Sequence, residues 1–382
     1  MFVTSIILKL QFFGRDQATI GSVILGLMFV LCTSALSAQH KDEDLNWKSI
    51  SEFKVFGSLN TFDNGAVRRF PDSLHKDLRE RLWNLSGNTA GFYIKFKTDS
   101  PFIKVSYTPS GELSFPHMPA TGVSGVDLYL KTDQGFDWVR GGYSFGKTVN
   151  YTFSHIKLAD GKHEFWLYLP LYQSIADFKV GTPKAYSLVP IRESGDQNPI
   201  IVYGTSIAQG ACASRAGMAW TNILGRKLPY PVVNLGFSGN GRLETEVIDY
   251  MANFKASAFV LDCMPNFTSG QGLSPEAAIA RLTASITTLK KSHPNTPILI
   301  VEHAGYSDGE VQINRYHTYN QLNKATKEVY NQLKSTYDGL YLLTKEEIGL
   351  TSDSFVDGTH PNDHGMLQYA QAYEKALNEL LK

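Results

Sequence analysis

Residues 199–210 read PIIVYGTSIAQG and set the pattern for the second half of the chain. An apolar run that ends in a turn of small residues, directly before a helical stretch, predicts a buried strand whose end exposes a side chain at the rim of an α/β sheet. That side chain is Ser206. A serine between a strand and a helix is also a common N-cap, so its position alone leaves its role open.

Similar apolar runs return along the rest of the chain, separated by helical stretches. The runs span residues 200–203, 232–235, 258–261, 298–301 and 340–343. Strands that alternate with helices in this way predict a parallel, doubly wound sheet. The last helix is expected from about Asp363 to Leu381, with His360 just before it.

The first half, from about residue 47 to residue 188, has the pattern of short strands with Gly, Pro, Asp and Ser between them. The clearest alternating stretches are 91–97, 102–107, 126–130 and 164–169. This pattern predicts an antiparallel β-sandwich. We therefore predict a sandwich domain at residues 45–190 and an α/β domain at residues 199–382, joined by the polar stretch 192–198.

The N-terminus has the three parts of an export signal. Lys9 and Arg15 precede the apolar run 20–31, and small residues at 35–38 offer a cleavage site. We therefore predict that residues 1–38 are a signal peptide, that the mature chain is periplasmic or secreted, and that no membrane span remains after signal removal. An uncleaved anchor is the competing interpretation, but the run is short for a spanning helix.

Composition narrows the classes of partner. The chain has 36 basic and 36 acidic residues and therefore no net charge, so its overall charge does not point to nucleic acid. Its 19 Tyr, 22 Phe and 5 Trp are expected mainly in the core. An aromatic-rich chain also suits a surface that packs against sugar rings.

Two cysteines, Cys212 and Cys263, remain after removal of the predicted signal. Cys212 lies shortly after Ser206 and Cys263 shortly before Asn266, so both flank the same predicted site. In an oxidising compartment the two thiols can pair, and we predict a disulfide that braces the two loops; two buried free thiols are the alternative. Their spacing fits no zinc motif, and we expect neither a metal nor another cofactor.

A base for the serine is available near the C-terminus. Asp357 and His360 are close enough in sequence to share one tight turn, in which the carboxylate orients the imidazole. Gly239 and Asn266 each follow a predicted strand, and a glycine N–H and an asparagine amide can both donate to an oxyanion. Together with the backbone N–H of Ser206 they form a predicted oxyanion hole.

These residues lie in four blocks whose order resembles that of the SGNH, or GDSL-type, hydrolases. The blocks are residues 204–207, 234–239, 261–266 and 357–361. The resemblance implies a flavodoxin-like α/β fold with Ser206 as nucleophile, His360 as base and Asp357 as its partner. Thr205 replaces the aspartate of the GDSL motif, and Met264-Pro265-Asn266 replaces the usual glycine-x-asparagine. These departures bear on the subfamily and substrate more than on the chemistry.

The first half carries Gly125-Val126-Asp127-Leu128-Tyr129, which resembles the GxDLY motif of a domain that precedes SGNH domains in exported bacterial hydrolases. The resemblance then covers nearly the whole mature chain. On a strand, Asp127 would face either the polar side or an interdomain contact. Such a domain could bind carbohydrate or form a wall of the active site.

The expected activity is ester hydrolysis through an acyl-enzyme. The resemblance to exported carbohydrate esterases implies an acylated carbohydrate as substrate, from which an acetylesterase would remove acetyl groups. A lipase or lysophospholipase, or a carbohydrate-binding protein with a decayed site, are the alternatives. Glu302 and His303, after the fourth strand of the second half, could line the acyl or sugar pocket or simply cap the strand.

Overall fold

The computed structural model describes residues 44–60, 62, 67–268 and 273–382. From Asn46 to Lys382 the described chain forms one compact unit. The predicted signal peptide, residues 1–38, lies outside the described residues. No described helix combines the length and the apolar character that crossing a bilayer would need.

The first half is built from short strands in two sheets. Its strands are β1 (Leu45–Ser49), β2 (Val55–Phe56), β3 (Tyr93–Thr98), β4 (Ile103–Pro109), β5 (Asp127–Thr132), β6 (Gly135–Val139), β7 (Gly142–Ser144), β8 (Val149–Phe153), β9 (His163–Tyr168), β10 (Ile175–Pro183) and β11 (Leu188–Pro190), and its helices are α1 (Glu80–Ser86) and α2 (Ala120–Val123). The strand order is β1-β10-β4-β8-β7 in one sheet and β11-β3-β9-β5-β6 in the other, where β2 also pairs with β3. From β2 to β11 the paired neighbours run antiparallel.

The two sheets share an apolar core. Alternate residues point into it, such as Ile94 and Phe96 on β3 and Val105 and Tyr107 on β4, and these four side chains are almost fully buried. Successive side chains of a strand point to opposite faces, so alternate positions bury one face of each sheet against the other. The predicted antiparallel sandwich is confirmed.

The second half alternates strands and helices. Its strands are β12 (Ile200–Gly204), β13 (Val232–Gly236), β14 (Ala258–Asp262), β15 (Ile298–Val301) and β16 (Leu340–Leu343), and its helices are α3 (Ser206–Gln209), α4 (Trp220–Lys227), α5 (Thr245–Met251), α6 (Pro275–Ser292), α7 (Ile313–Leu333), α8 (Lys345–Ile348) and α9 (Asp363–Leu380). The strands are parallel, in the order β13-β12-β14-β15-β16. In chain order this is 2-1-3-4-5, the order of flavodoxin-like sheets.

Helices cover both faces of this sheet. Ile200 and Val202 of β12 pack on one face, in a cluster that includes residues of α4 and α9. The residues that alternate with them, Ile201 and Tyr203, pack on the other face in a cluster with α5, α6 and α7. A strand buried on both faces is a continuous apolar run, which explains the sequence from residue 200 to residue 203. The predicted doubly wound fold is confirmed.

Three strands of the sheet end side by side. Gly204, at the end of β12, pairs with Gly236 of β13 and with Asp262 of β14. The strand order also reverses at β12, because β13 lies on one side of it and the later strands on the other. Open α/β sheets bind their ligands at such a point, outside the carboxyl ends of the strands. The segments that follow these strands carry Ser206, Gly239 and Asn266.

Candidate active site

Ser206 is the first residue of α3, directly after the turn that ends β12. Thr205 is the N-cap of this helix, and its hydroxyl accepts a hydrogen bond from the Ile207 N–H at 3.3 Å. The cap that sequence alone could assign to Ser206 is therefore provided by Thr205. The Oγ atom of Ser206 instead lies 2.9 Å from Nε2 of His360.

His360 is held by Asp357 from its own turn. The Nδ1 atom of His360 lies 2.7 Å from Oδ2 of Asp357, and Oδ1 accepts the backbone N–H groups of Thr359 and His360 at 3.0 and 2.8 Å. Burial raises the pKa of Asp357, but the hydrogen bonds from His360 and Thr359 outweigh it and leave the pKa below its usual value. The carboxylate is therefore ionised at neutral pH and accepts the Nδ1 proton, which leaves Nε2 to act as a base toward Ser206.

An arginine of α7 fixes this turn. Arg315 donates from Nη2 to the Gly358 carbonyl at 2.7 Å and to the Thr359 hydroxyl at 3.1 Å. Gly358 has a φ of +81°, in the left-handed region that glycine adopts at little cost. Arg315 could not be assigned to the site from sequence, because it lies 43 residues before Gly358 and no motif connects the two.

The loop after β13 packs against the turn that carries Ser206. The Phe237 N–H donates to the Gly204 carbonyl at 3.0 Å, and the Ser238 N–H donates to Oε1 of Gln209, in α3, at 2.9 Å. Gly239 has a φ of +66°, and a Cβ atom there would meet nothing within 4 Å. The glycine therefore serves the backbone conformation and leaves open space beside the loop. Its role as an oxyanion donor stays a prediction.

Asn266 contacts the same loop from the segment after β14. Its Nδ2 donates to the Gly241 carbonyl at 3.0 Å and to the Phe237 carbonyl at 3.4 Å. An amide nitrogen carries two donors, so both are engaged here. The bond to Phe237 is long and weak, and an oxyanion could replace that carbonyl as acceptor. The oxyanion role of Asn266 also stays a prediction.

A buried arginine packs against the loop that carries Gly239. Arg69, in the first half of the chain, donates to the Gly236 and Leu85 carbonyls, and its guanidinium stacks on the Phe237 ring at 4.3 Å. Burial lowers the pKa of Arg69 to about 9. The side chain is still charged at neutral pH, so it places positive charge next to the loop that carries Gly239.

The aspartate of the GxDLY motif joins the sandwich to the loop after the serine turn. Asp127 is 3% exposed and forms an ion pair with Arg215 at 2.5 Å. It also accepts the backbone N–H of Gly217 at 2.9 Å and the indole N–H of Trp138 at 2.6 Å. A Cβ atom on Gly217 would lie 2.6 Å from the carboxylate, so the close approach requires glycine. Of the two orientations considered for Asp127, the structure shows the interdomain contact.

The same loop also contacts the helix that follows His360. Ser214 donates from its N–H and its hydroxyl to the two carboxylate oxygens of Asp363, the first residue of α9, at 2.8 and 2.5 Å. Thr121 of the sandwich donates to the Ser214 carbonyl at 2.6 Å. The sandwich therefore contacts a loop that follows Ser206 in sequence and that also bonds to the helix after His360.

A second histidine, which no sequence motif connects to the site, comes from the sandwich. The ring of His117 lies 5.7 Å from the ring of His360, and the two planes are 19° apart. His117, Cys212, Asp357 and His360 each place one nitrogen, sulfur or oxygen atom within 4.8 Å of the others. The expectation of no metal relied on sequence spacing, which cannot reveal side chains that converge from separate segments.

The predicted disulfide between Cys212 and Cys263 is not formed in the structure. Both cysteines are buried and free. Their side chains face different surroundings: the Cys263 thiol donates to the Tyr203 carbonyl at 3.5 Å, beneath the sheet edge, whereas Cys212 lies beside His117 and Asp357. Flanking one site in sequence does not bring two thiols together, and the alternative of two buried thiols is the one observed.

Glu302 and His303 do not line a surface pocket. Each is 1% exposed. Glu302 accepts the Lys345 N–H at 2.8 Å and pairs with Lys327 at 3.2 Å, while Nδ1 of His303 accepts the Gly305 N–H at 2.9 Å. Burial, with a smaller contribution from nearby Arg315, lowers the pKa of His303 to about 3, so its ring is neutral. The two residues close the end of β15, which corrects the predicted role in substrate binding.

Two family models match consecutive parts of the chain. Residues 45–188 match the N-terminus of SGNH-hydrolase-type esterases, the GxDLY family. Residues 197–378 match the GDSL-like lipase/acylhydrolase family. No curated protein sequence matches the chain.

Solved structures share the architecture over both halves. A candidate GDSL-like lipase from Bacteroides ovatus is 30% identical, with a TM-score of 0.81 over 88% of this chain and 98% of its own. The salicylyl-acyltransferase SsfX3 of a tetracycline biosynthetic pathway is 18% identical, with a TM-score of 0.72 over 89% and 98%. A family two carbohydrate esterase from Cellvibrio japonicus is 11% identical, with a TM-score of 0.57 over 88% and 98%, and these last two show the fold alone. With its four sequence blocks, its flavodoxin-like sheet and this similarity along nearly the full length of the Bacteroides protein, the chain belongs to the GDSL-like lipase/acylhydrolase family.

Proposed function

We propose that the protein is an exported serine esterase that removes acetyl groups from a polysaccharide or oligosaccharide through an acyl-enzyme. The observation that carries the proposal is the continuous series of contacts from Ser206 Oγ to His360 Nε2 and from His360 Nδ1 to Asp357. A serine bonded to a histidine that is in turn bonded to an aspartate is the arrangement in which a serine hydrolase activates its nucleophile. Export rests on the pattern of residues 1–38.

In the first step, Ser206 Oγ attacks the ester carbonyl and its proton passes to Nε2 of His360. Asp357 accepts the hydrogen bond from Nδ1 and stabilises the imidazolium that forms. The negative charge on the carbonyl oxygen is held by the N–H groups of Ser206 and Gly239 and by the Asn266 amide. The tetrahedral species collapses, the bond to the sugar oxygen breaks, and His360 returns its proton to the departing alcohol.

In the second step, a water molecule replaces the alcohol. His360 takes a proton from this water, which attacks the acyl-enzyme carbonyl and releases acetate. The proton then returns to Ser206 Oγ. The site ends as it began, and one ester and one water have become one acid and one alcohol.

A cavity lined mainly by the sandwich has features that suit a sugar. It has a volume of about 420 Å³ and is lined by Trp138, Tyr143 and Arg140, together with Ser214 and Arg215 of the loop described above. Trp138 and Tyr143 are 46% and 58% exposed, although large aromatic side chains are normally covered. Exposed rings beside charged groups suit the mixed apolar and polar faces of a pyranose. The carbohydrate esterase named above has the same fold.

The two alternative functions would require different features of the site. A decayed carbohydrate-binding protein has no need of the complete series of contacts between Ser206, His360 and Asp357, which argues against it. A lipase or lysophospholipase would use the same series but would prefer long acyl chains. Acyl length therefore separates the two enzymatic functions.

The experiment measures acetate released from a panel of acetylated polysaccharides, and hydrolysis of p-nitrophenyl esters of increasing acyl length. Ser206→Ala should lose activity, and Ser257→Ala, a serine before β14 at the opposite edge of the sheet, should retain it. A preference for acetyl over longer chains, with acetate released from at least one polysaccharide, supports the proposal. A preference for long chains would replace it with a lipase. Equal activity in the wild type and Ser206→Ala would end the mechanism.

A further inference from the structure

Four potential metal ligands converge around the catalytic base. His117 comes from the sandwich, Cys212 from the loop after α3, and Asp357 and His360 from the turn before α9. We propose that this cluster binds a zinc ion and that zinc holds the esterase in an inactive state. The inactivation rests on the proposed function, whereas the metal site does not.

The donor set is one that zinc prefers. Zinc takes cysteine sulfur, imidazole nitrogen and carboxylate oxygen in a tetrahedral arrangement, at about 2.3 Å for sulfur and about 2.0–2.2 Å for nitrogen and oxygen. At those lengths neighbouring ligand atoms are roughly 3.5 Å apart. The four atoms already lie within 4.8 Å of one another, so the side chains need to close only slightly. Calcium and magnesium, which prefer oxygen ligands, fit this set poorly.

The Cys212 thiol is the second observation that points to a ligand. It is 4% exposed and accepts or donates no hydrogen bond to any described residue. Cys263 is equally buried, but its thiol donates to the Tyr203 carbonyl. Of the two thiols that the structure describes, the one beside His117 and Asp357 therefore lacks a partner of its own. On metal binding its proton is released to solvent, the sulfur bonds to zinc as a thiolate, and no group is oxidised or reduced.

His117 lies on a turn that backbone hydrogen bonds close. The N–H and carbonyl groups of Phe115 and Met118 bond to each other in both directions, at 2.9 and 3.0 Å. Met118 is buried, and the Phe115 ring packs edge-on against Tyr172 at 5.4 Å. The turn is fixed at both ends, so His117 is held over His360 without being buried itself.

Zinc binding and catalysis compete for the same atoms. One nitrogen of His360 bonds to Asp357 and the other to Ser206. Whichever nitrogen binds zinc, one of the two contacts of the catalytic series is lost. The metal therefore blocks the base by coordination.

Cobalt provides a direct readout that needs no esterase activity. Co²⁺ is titrated into the purified Ser206→Ala protein, because Ser206 is outside the cluster. We expect a thiolate-to-cobalt charge-transfer band that saturates at one equivalent, is displaced by Zn²⁺, is lost in Ser206→Ala/Cys212→Ala and is retained in Ser206→Ala/Cys263→Ala. Absence of the band, or its persistence without Cys212, would overturn the site.

Inhibition is measured separately on the active protein. We expect Zn²⁺ to inhibit and EDTA to restore activity, and we expect the half-inhibitory concentration to rise at least about tenfold in His117→Ala and Cys212→Ala. His364→Ala, an exposed histidine of α9 outside the cluster, should match the wild type. Equal inhibition of all variants would contradict the inference. A cobalt band in a protein without esterase activity would leave the site standing and reject the proposed function.

Discussion

Asp127 and Asp357 are both aspartates with several hydrogen-bond donors around them, yet they serve different ends. Asp127 is 3% exposed and joins the sandwich to Arg215 and Gly217 of the α/β half. Asp357 has a side chain that is 32% exposed and bonds to His360. The comparison leads to an expectation: a carboxylate buried between two layers contributes to stability, whereas one that bonds to a histidine at the sheet edge contributes to chemistry.

The energetics of the two sites differ accordingly. Removing one partner of a buried ion pair leaves an uncompensated charge and costs about 3–5 kcal/mol of stability. A partly exposed pair contributes only about 1 kcal/mol or less to folding, because water replaces the lost partner. Replacing each aspartate by asparagine tests the contrast with the same chemical change.

Asp357→Asn should produce the largest effect on activity. The amide can no longer favour the Nδ1 proton or stabilise the imidazolium, and the comparable change in a serine protease lowers kcat about 10⁴-fold. We expect a loss of about 10³–10⁴-fold in kcat with the unfolding free energy changed by no more than about 1 kcal/mol. Ester hydrolysis and urea unfolding of the same preparation measure both. A loss of unfolding free energy as large as the one expected for Asp127→Asn would remove the contrast between the two aspartates.

Asn266→Ala should have the next largest effect on activity. Loss of one oxyanion donor costs about 10²–10³-fold in kcat. The side chain is only partly buried, so the fold should tolerate the change. Steady-state kinetics should show the loss in kcat with KM nearly constant, because the oxyanion exists only in the transition state. An unchanged kcat would show that the amide serves only the Gly241 and Phe237 carbonyls.

Asp127→Asn should act on stability. The change leaves Arg215 without its counter-ion at an interface, and we expect a loss of about 3 kcal/mol in the unfolding free energy. Folded protein should keep kcat within about tenfold of the wild type, since Asp127 touches neither the base nor the nucleophile. Urea denaturation and kinetics below the transition check this. A kcat as low as that of Asp357→Asn would mean that the sandwich contact is part of the catalytic machinery.

A third aspartate extends the comparison, and its expected effect on the unfolding free energy is smaller. Asp262, at the end of β14, is buried, and among the described side chains only the Tyr373 hydroxyl donates to it, at 2.8 Å; burial raises its pKa to about 7. The folded state therefore keeps a proton that the unfolded state loses near pH 4, so the stabilising contribution is complete below about pH 4 and is lost as the pH rises to about 7. The unfolding free energy of the wild type relative to Asp262→Asn should fall by about 1 kcal/mol between pH 5 and pH 6. A difference that does not change with pH would mean that Asp262 is ionised.

The fold, and the convergence of Ser206, His360 and Asp357, could be predicted because they leave local patterns. The apolar run 200–203, the small residues after it and the Asp357 to His360 spacing each occupy a few consecutive positions. Arg315 and His117 leave no such pattern, since their partners are distant in sequence and their positions depend on how α7 and the sandwich pack. The disulfide prediction failed for the related reason that sequence proximity to a site says nothing about the direction of a side chain.

The central claim is that Ser206 is a nucleophile activated by His360. Incubation with a fluorophosphonate, followed by intact-mass and peptide mass spectrometry, tests it without any assumption about the substrate. The account predicts one phosphonate per chain, located on Ser206, and a labelling rate at least about 10³-fold lower in His360→Ala. Labelling of another serine, or labelling of Ser206 at the same rate without His360, would contradict it.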